Sequence, residues 1–275
     1  MTPCKGKGKG IGPAVSVVHH ALLRWYVTQG GRPAQEVDDA GLVADPRLHQ
    51  RRAPGMTCMS ALGAAEKFGD VAHNGSKGCG TIMRVAPVAF MGAEPLQIEV
   101  LGMETSALTH GHRTGQEAAA AWAIILAEVL RGTPVEATAH NVAGRFGSET
   151  REAIRSALTA PRDGRPETVE SLGGGWTAEE ALAIALYAVL ASTSFEEGFR
   201  IAVTHGGDSD STGAIAGNLL GLIYAQEVMA HPWRREIECA DVIDRLARDM
   251  DACLRHPDAC DGKAPGALKD RYPSW

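Results

Sequence analysis

The chain has 275 residues, enough for one large domain or two small ones to bury a core without a disulfide or zinc staple. Hydrophobic residues make up 44% and charged residues 22%, which argues against an unstructured chain, and the formal charge of -6 gives no general attraction to nucleic acid or anionic membranes. With aromatics at 5%, the core must come from Ala, Leu, Val and Ile, a mixture that suits closely packed helices better than a β-sandwich.

The amino-terminal residues MTPCKGKGKGIGP have no apolar stretch before Ile11 and so do not form a signal peptide. The spacing of Val17, Val18, Ala21, Leu22, Trp25 and Tyr26 predicts a helix over 13–28, stopped by Gly30 and Gly31. A polar surface loop over 32–54 follows, then a short helix over 57–68. Residues 85–90 and 200–204 are the two pieces that could be extended, and neither has a partner with clean alternation. Helical patterns then dominate, over 116–131, 134–146, 148–160, 177–191, 195–203, 211–229 and 239–255, with a polar excursion at 161–175 and a loose tail after His256. Thr177 with Glu180 has the form of a capping box, and Ser194 that of an N-cap.

The apolar stretches over 118–130 and 213–225 are too short to span a bilayer. The six cysteines form no Cys-x-x-Cys pair, so reduced thiols in a cytoplasmic protein are expected. Residues 1–275 therefore read as one all-α, multi-helix domain without a linker.

Three local features carry chemistry. His205-Gly206-Gly207-Asp208-Ser209-Asp210-Ser211-Thr212 enters a small-residue helix with two carboxylates and several hydroxyls, a density of hard oxygen that suits Mg²⁺, Mn²⁺ or Ca²⁺. Plain N-capping accounts for one such residue, not four. An EF-hand does not fit, because counting from Asp208 puts Leu219 where the glutamate belongs. A phosphatase with Asp208 as nucleophile needs a strand before it, and 200–205 is a marginal one.

In the second feature, residues 74–87, the glycines at 75, 78 and 80 expose backbone N–H groups that suit a phosphate, with Lys77 or Arg84 to add charge. It is neither a Walker loop nor a dinucleotide fingerprint, and by itself a flexible loop reads as well. In the third, Leu108-Thr109-His110-Gly111-His112 opens a long alanine-rich helix; one hydrogen-bonded and one surface histidine is the ordinary outcome there.

Taken together and in order, Gly78-Cys79-Gly80-Thr81-Ile82-Met83-Arg84-Val85-Ala86-Pro87, Leu108-Thr109-His110 and Gly206-Gly207-Asp208-Ser209-Asp210-Ser211 resemble the ADP-ribosylglycohydrolase family, and its bacterial dinitrogenase reductase-activating members most. The resemblance covers about residues 10–246, including Arg52-Ala53-Pro54-Gly55 and Leu172-Gly173-Gly174-Gly175-Trp176. It implies an all-α fold around two Mg²⁺ or Mn²⁺ ions, and hydrolysis of the bond between ADP-ribose and a protein side chain or small acceptor. The implied partners are an ADP-ribosylated protein or a small molecule containing ADP-ribose. Carried over residue by residue, Asp208, Asp210 and Ser211 are the metal ligands, and Gly78, Cys79, Gly80, Thr81, Met83 and His110 line the ADP-ribose site.

The family's Thr-Asp-Asp-Thr motif and its upstream catalytic acid have no counterpart in this sequence. Asp38-Asp39 follows the first helix instead of preceding it and lacks the threonine. Two ions within about 4 Å need several anionic ligands, so the expectation is one weakly bound ion or none, with weak hydrolysis or none. The alternatives are a non-catalytic ADP-ribose-binding protein and the Asp208 phosphatase.

Overall fold

A computed structural model describes residues 14–256 and 268–272. Its contacts group into two compact units, one formed by the residues up to Ala72 and those from Pro232 onward, the other by His73–His231.

In the first unit, α1 (Ala14–Thr28) buries Leu23 and packs on α2 (Met56–Ala64). Pro13 lies outside the described residues. The predicted surface loop contains two short 3₁₀ turns, Gly41–Ala44 and Pro46–His49, the second capped by Asp45. Asp38 pairs with Arg24 of α1 at 2.9 Å, and the guanidinium holds its carboxyl below the usual range, so this acid is committed to an ion pair.

The second unit begins with α3 (Ala86–Ala89), α4 (Pro95–Ala107) and α5 (Arg113–Leu130). It continues through α6 (Val135–Ala143), α7 (Ser148–Thr159), α8 (Pro166–Glu170) and α9 (Ala178–Leu190). The last helices are α10 (Phe195–Val203), α11 (Ser209–Ile223) and α12 (Ala225–Ala230). Beyond Pro232 the first unit resumes with α13 (Trp233–Glu236), α14 (Ala240–Arg255) and α15 (Leu268–Arg271). No strand occurs among the described residues, where the only extended pairing is an isolated bridge between Gly78 and Thr177. None of the described helices is long and apolar enough to cross a membrane.

The core of the second unit is α5 and α9, buried on every face over Gly115–Leu126 except Gln116, and over Ala178–Val189 except Glu180. Alanines at 118–121 bring neighbouring backbones close, as the scarcity of aromatics requires. One such close approach is at Gly102 of α4, where an added Cβ would lie 2.9 Å from the Ala120 Cα. Alanine there gains helix propensity but forces two backbones apart. Gly102→Ala is therefore expected to destabilise by about 1–3 kcal/mol in chemical denaturation; a stabilised variant would contradict this crossing.

Several expectations need correction. Residues 86–89 are helical, because Pro87 with its fixed φ suits the first turn of α3, and residues 200–203 belong to α10. The predicted helix over 211–229 breaks at Tyr224, whose hydroxyl donates to the Ser192 carbonyl at 3.2 Å, and continues as α12. Ser194 caps α10 as expected, whereas Thr177 makes no side-chain cap bond; the capping box forms instead at Glu94 and Gln97, which start the unpredicted α4. Cys79 and Cys239 carry free thiols, while Cys253 is disulfide-bonded, against the expectation of reduced thiols throughout.

Candidate active site

All three predicted features lie in the second unit. The turn from α10 to α11 presents Asp208 at the N-cap of α11, yet its side chain makes no cap hydrogen bond, so capping does not explain the carboxylate. Its backbone N–H donates to the Gly174 carbonyl at 2.8 Å. Thr212 is the structural member of the group, fully buried, its hydroxyl donating to the Ala202 carbonyl at 2.7 Å. Asp210 is exposed on the first turn, whereas Asp208 and Ser211 are buried.

The loop before α3 reaches this turn through Cys79. Its Sγ donates to Asp208 Oδ2 at 3.2 Å and lies 3.6 Å from Ser211 Oγ. Burial pushes the thiol up to about 11, with the Asp208 carboxylate adding to the shift, so it is a neutral donor at physiological pH. The loop is held by the strip before α9: Cys79 N–H donates to the Trp176 carbonyl at 3.1 Å, and Ala178 N–H to the Lys77 carbonyl at 2.8 Å. Gly174 and Trp176 thus each hold one wall of the site through a main-chain oxygen. Backbone roles carry no side-chain signal, and only the run of three glycines before Trp176 hints at so close an approach.

His110 stands beside Gly78, where an added Cβ would lie 3.4 Å from the ring Nε2. Asn74 fixes this neighbourhood: its side chain accepts from Ser76 and Gly111 N–H groups, each at 3.0 Å, and donates to the Thr109 carbonyl. Arg84 donates to Thr109 Oγ1 at 2.6 Å, and that hydroxyl lies 2.8 Å from His110 Nδ1. The Thr109 hydroxyl and Nδ1 share one hydrogen, and the ring's other nitrogen, Nε2, faces Gly78. His112 instead caps α5, accepting from Thr114 N–H.

Burial, followed by the Arg84 charge, lowers the His110 pKa from 6.5 to about 4. The unfolded chain binds this proton near pH 6.5 and the folded one only near 4, so the stability present above 6.5 is lost as pH falls between those values, by up to about 3 kcal/mol. Denaturation at pH 7.5 and 4.5 is expected to show this loss in the wild type and a smaller one in His110→Gln; equal losses would contradict it.

Other predicted residues fall differently. Thr81 is fully buried and its hydroxyl donates to the Gly115 carbonyl, so it anchors the loop to α5; Met83 is 39% exposed, and the Gly80 carbonyl accepts from Arg84. The two cations expected to face a phosphate are engaged within the protein. Arg84 binds the Gly80 and Thr105 carbonyls besides Thr109, and Lys77 pairs with Glu149 and Glu179.

The Asp208 nucleophile reading loses its strand, since a helix precedes the turn. The metal set assembles in part. Among the described residues, no group of three His, Cys, Asp or Glu side chains is placed to hold an ion. One buried carboxylate with a thiol on it, a hydroxyl and an exposed Asp210 do not by themselves fit two hard divalent ions.

The ADP-ribosylglycohydrolase family model matches residues 4–260. The chain belongs to that family. Among curated relatives, the human ADP-ribosylhydrolase ARH3 is 24% identical over 210 residues, covering 64% of this chain and 58% of the human protein. The Bos taurus and Mus musculus proteins of that name are also 24% identical, and the aligned part covers 58% and 57% of their lengths, less than two thirds. A solved structure titled ADP-ribosylglycohydrolase-related protein complex superposes with a TM-score of 0.59 at 26% identity, over 87% of this chain and 80% of that one. The family fold accounts for the all-helical architecture on which the three features meet.

Proposed function

We propose that this chain binds ADP-ribose between the 78–83 loop and the start of α11, and hydrolyses the bond joining it to a protein side chain or a small acceptor. The observation that carries this reading is the contact of Cys79 with both Asp208 and Ser211, which joins two sequence features 129 residues apart into one wall beside His110. Family membership and the likeness to proteins named ADP-ribosylhydrolase support it.

In this reading the Gly80 N–H and the neutral His110 ring donate to diphosphate and ribose oxygens, since the Gly78 and Cys79 N–H groups already donate to Ser76 Oγ and the Trp176 carbonyl. The affinity then comes from dipoles, since Lys77 and Arg84 are engaged elsewhere. Cleavage builds positive charge on the anomeric carbon, which a fixed, buried carboxylate stabilises. Asp208 supplies that carboxylate, with Cys79 and the Gly174 carbonyl fixing its position.

A second reading, ADP-ribose binding without hydrolysis, is favoured by the single buried carboxylate in the metal-ligand set. One assay separates the two: the chain is incubated with ADP-ribosylated protein and Mg²⁺ or Mn²⁺, and free ADP-ribose is followed by mass spectrometry. Release is the expected result. Binding of ADP-ribose without release would establish the second reading, and the absence of both would reject the site.

A further inference from the structure

Lys77 is a cation placed against three helix starts. An added Cβ on Gly115, in the first turn of α5, would lie 3.1 Å from the Lys77 Cα. The Lys77 carbonyl accepts from Ala178 at the head of α9. Its Nζ donates to Glu149 in the first turn of α7, at 2.8 Å, and to Glu179 in the first turn of α9. Helix N-termini disfavour cations, and Glu149 and Glu179 offset this by accepting from Nζ. Glu179 is buried, and its Oε2 has no hydrogen-bond partner, so Lys77 is its charge compensation. One residue further along is Gly78, beside His110, and two further is Cys79, on Asp208.

We infer that Lys77 is a positioning residue: tethered to Glu149 and Glu179, it fixes the loop that sets Cys79 on Asp208 and Gly78 against His110. The chemistry asks for a cation with several donors on a long stem, which reaches carboxylates on two helices at once. The consequence for ligand affinity rests on the ADP-ribose reading above; the consequence for loop placement does not.

The test uses the full chain with Lys77→Met, Lys77→Arg and the double variant Lys77→Met/Glu179→Gln. Three quantities are followed: melting, ADP-ribose affinity by calorimetry, and the iodoacetamide alkylation rate of the Cys79 peptide by mass spectrometry. Lys77→Met leaves a buried carboxylate uncompensated and lowers the melting temperature; the double variant removes that charge and recovers it. Loss of the tether is expected to persist in the double variant, with Cys79 alkylated at least about tenfold faster and ADP-ribose bound about tenfold more weakly, while Lys77→Arg stays within about threefold of the wild type. An alkylation rate that returns to the wild-type value in the double variant would overturn the inference, because Lys77 would then do no more than balance charge. If the wild type binds no ADP-ribose, the functional reading fails and the alkylation rates alone decide the tether.

Discussion

Asp208→Asn is expected to lower ADP-ribose release by at least about 100-fold while leaving ADP-ribose affinity within a few-fold of the wild type. The substitution keeps the shape of the side chain. Its amide oxygen can still accept from Cys79, and the backbone bond from residue 208 to Gly174 is untouched. What changes is the charge that the proposed chemistry uses, so the effect is expected on release and not on folding. Release from the variant at the wild-type rate, with unaltered melting, would remove Asp208 from the chemistry. Asp210→Asn makes the contrast, since that carboxylate is exposed and far smaller losses are expected unless it holds an ion.

Gly207→Ala is expected to damage both fold and binding. An added Cβ would lie 2.1 Å from the Gly174 carbonyl oxygen, the same atom that accepts from Asp208 N–H. Neither group is the end of a flexible side chain, so the strip before α9 must move, and with it the Trp176 carbonyl that holds Cys79. A cost of about 2–3 kcal/mol and loss of ADP-ribose affinity are expected in denaturation and calorimetry. Gly217→Ala is the control, because Gly217 lies inside α11 and an added Cβ there meets nothing within 4 Å, so it should gain about 0.5–1 kcal/mol. A Gly207→Ala variant as stable as the wild type would contradict the close packing of these loops.

Helices with strong apolar periodicity, such as α5, α9 and α10, are legible in the sequence because each buries a continuous stripe or its whole girth. Helix α4 is not, since Gly102, Thr105 and Ser106 weaken the pattern; its capping box and its close packing on α5 at Ala120 support it instead. Residues 85–90 read as extended because Val85 and Val88 favour that conformation locally, and packing of α3 on α5, with Pro87 in the first helical turn, overrides it.

The candidate site divides similarly. Its glycines, carboxylates and histidine stand out as motifs, whereas what each charge does depends on distant partners. Lys77 and Arg84 look available for a phosphate until Glu149, Glu179 and Thr109 are seen to occupy them. Asp208 looks like a cap until its side chain is found turned to Cys79 instead. Local sequence carries chemistry here, and long-range pairing decides which part of it is free to act.

One ADP-ribose site built from the 78–83 loop, His110 and the α11 turn would respond to the ligand at all three places. Amide shift mapping by nuclear magnetic resonance with ADP-ribose tests it most directly. Saturable shifts are expected at Gly78, Cys79, Gly80, His110, Asp208 and Ser211 together. Saturable shifts confined to other residues, or none at millimolar ADP-ribose, would contradict it.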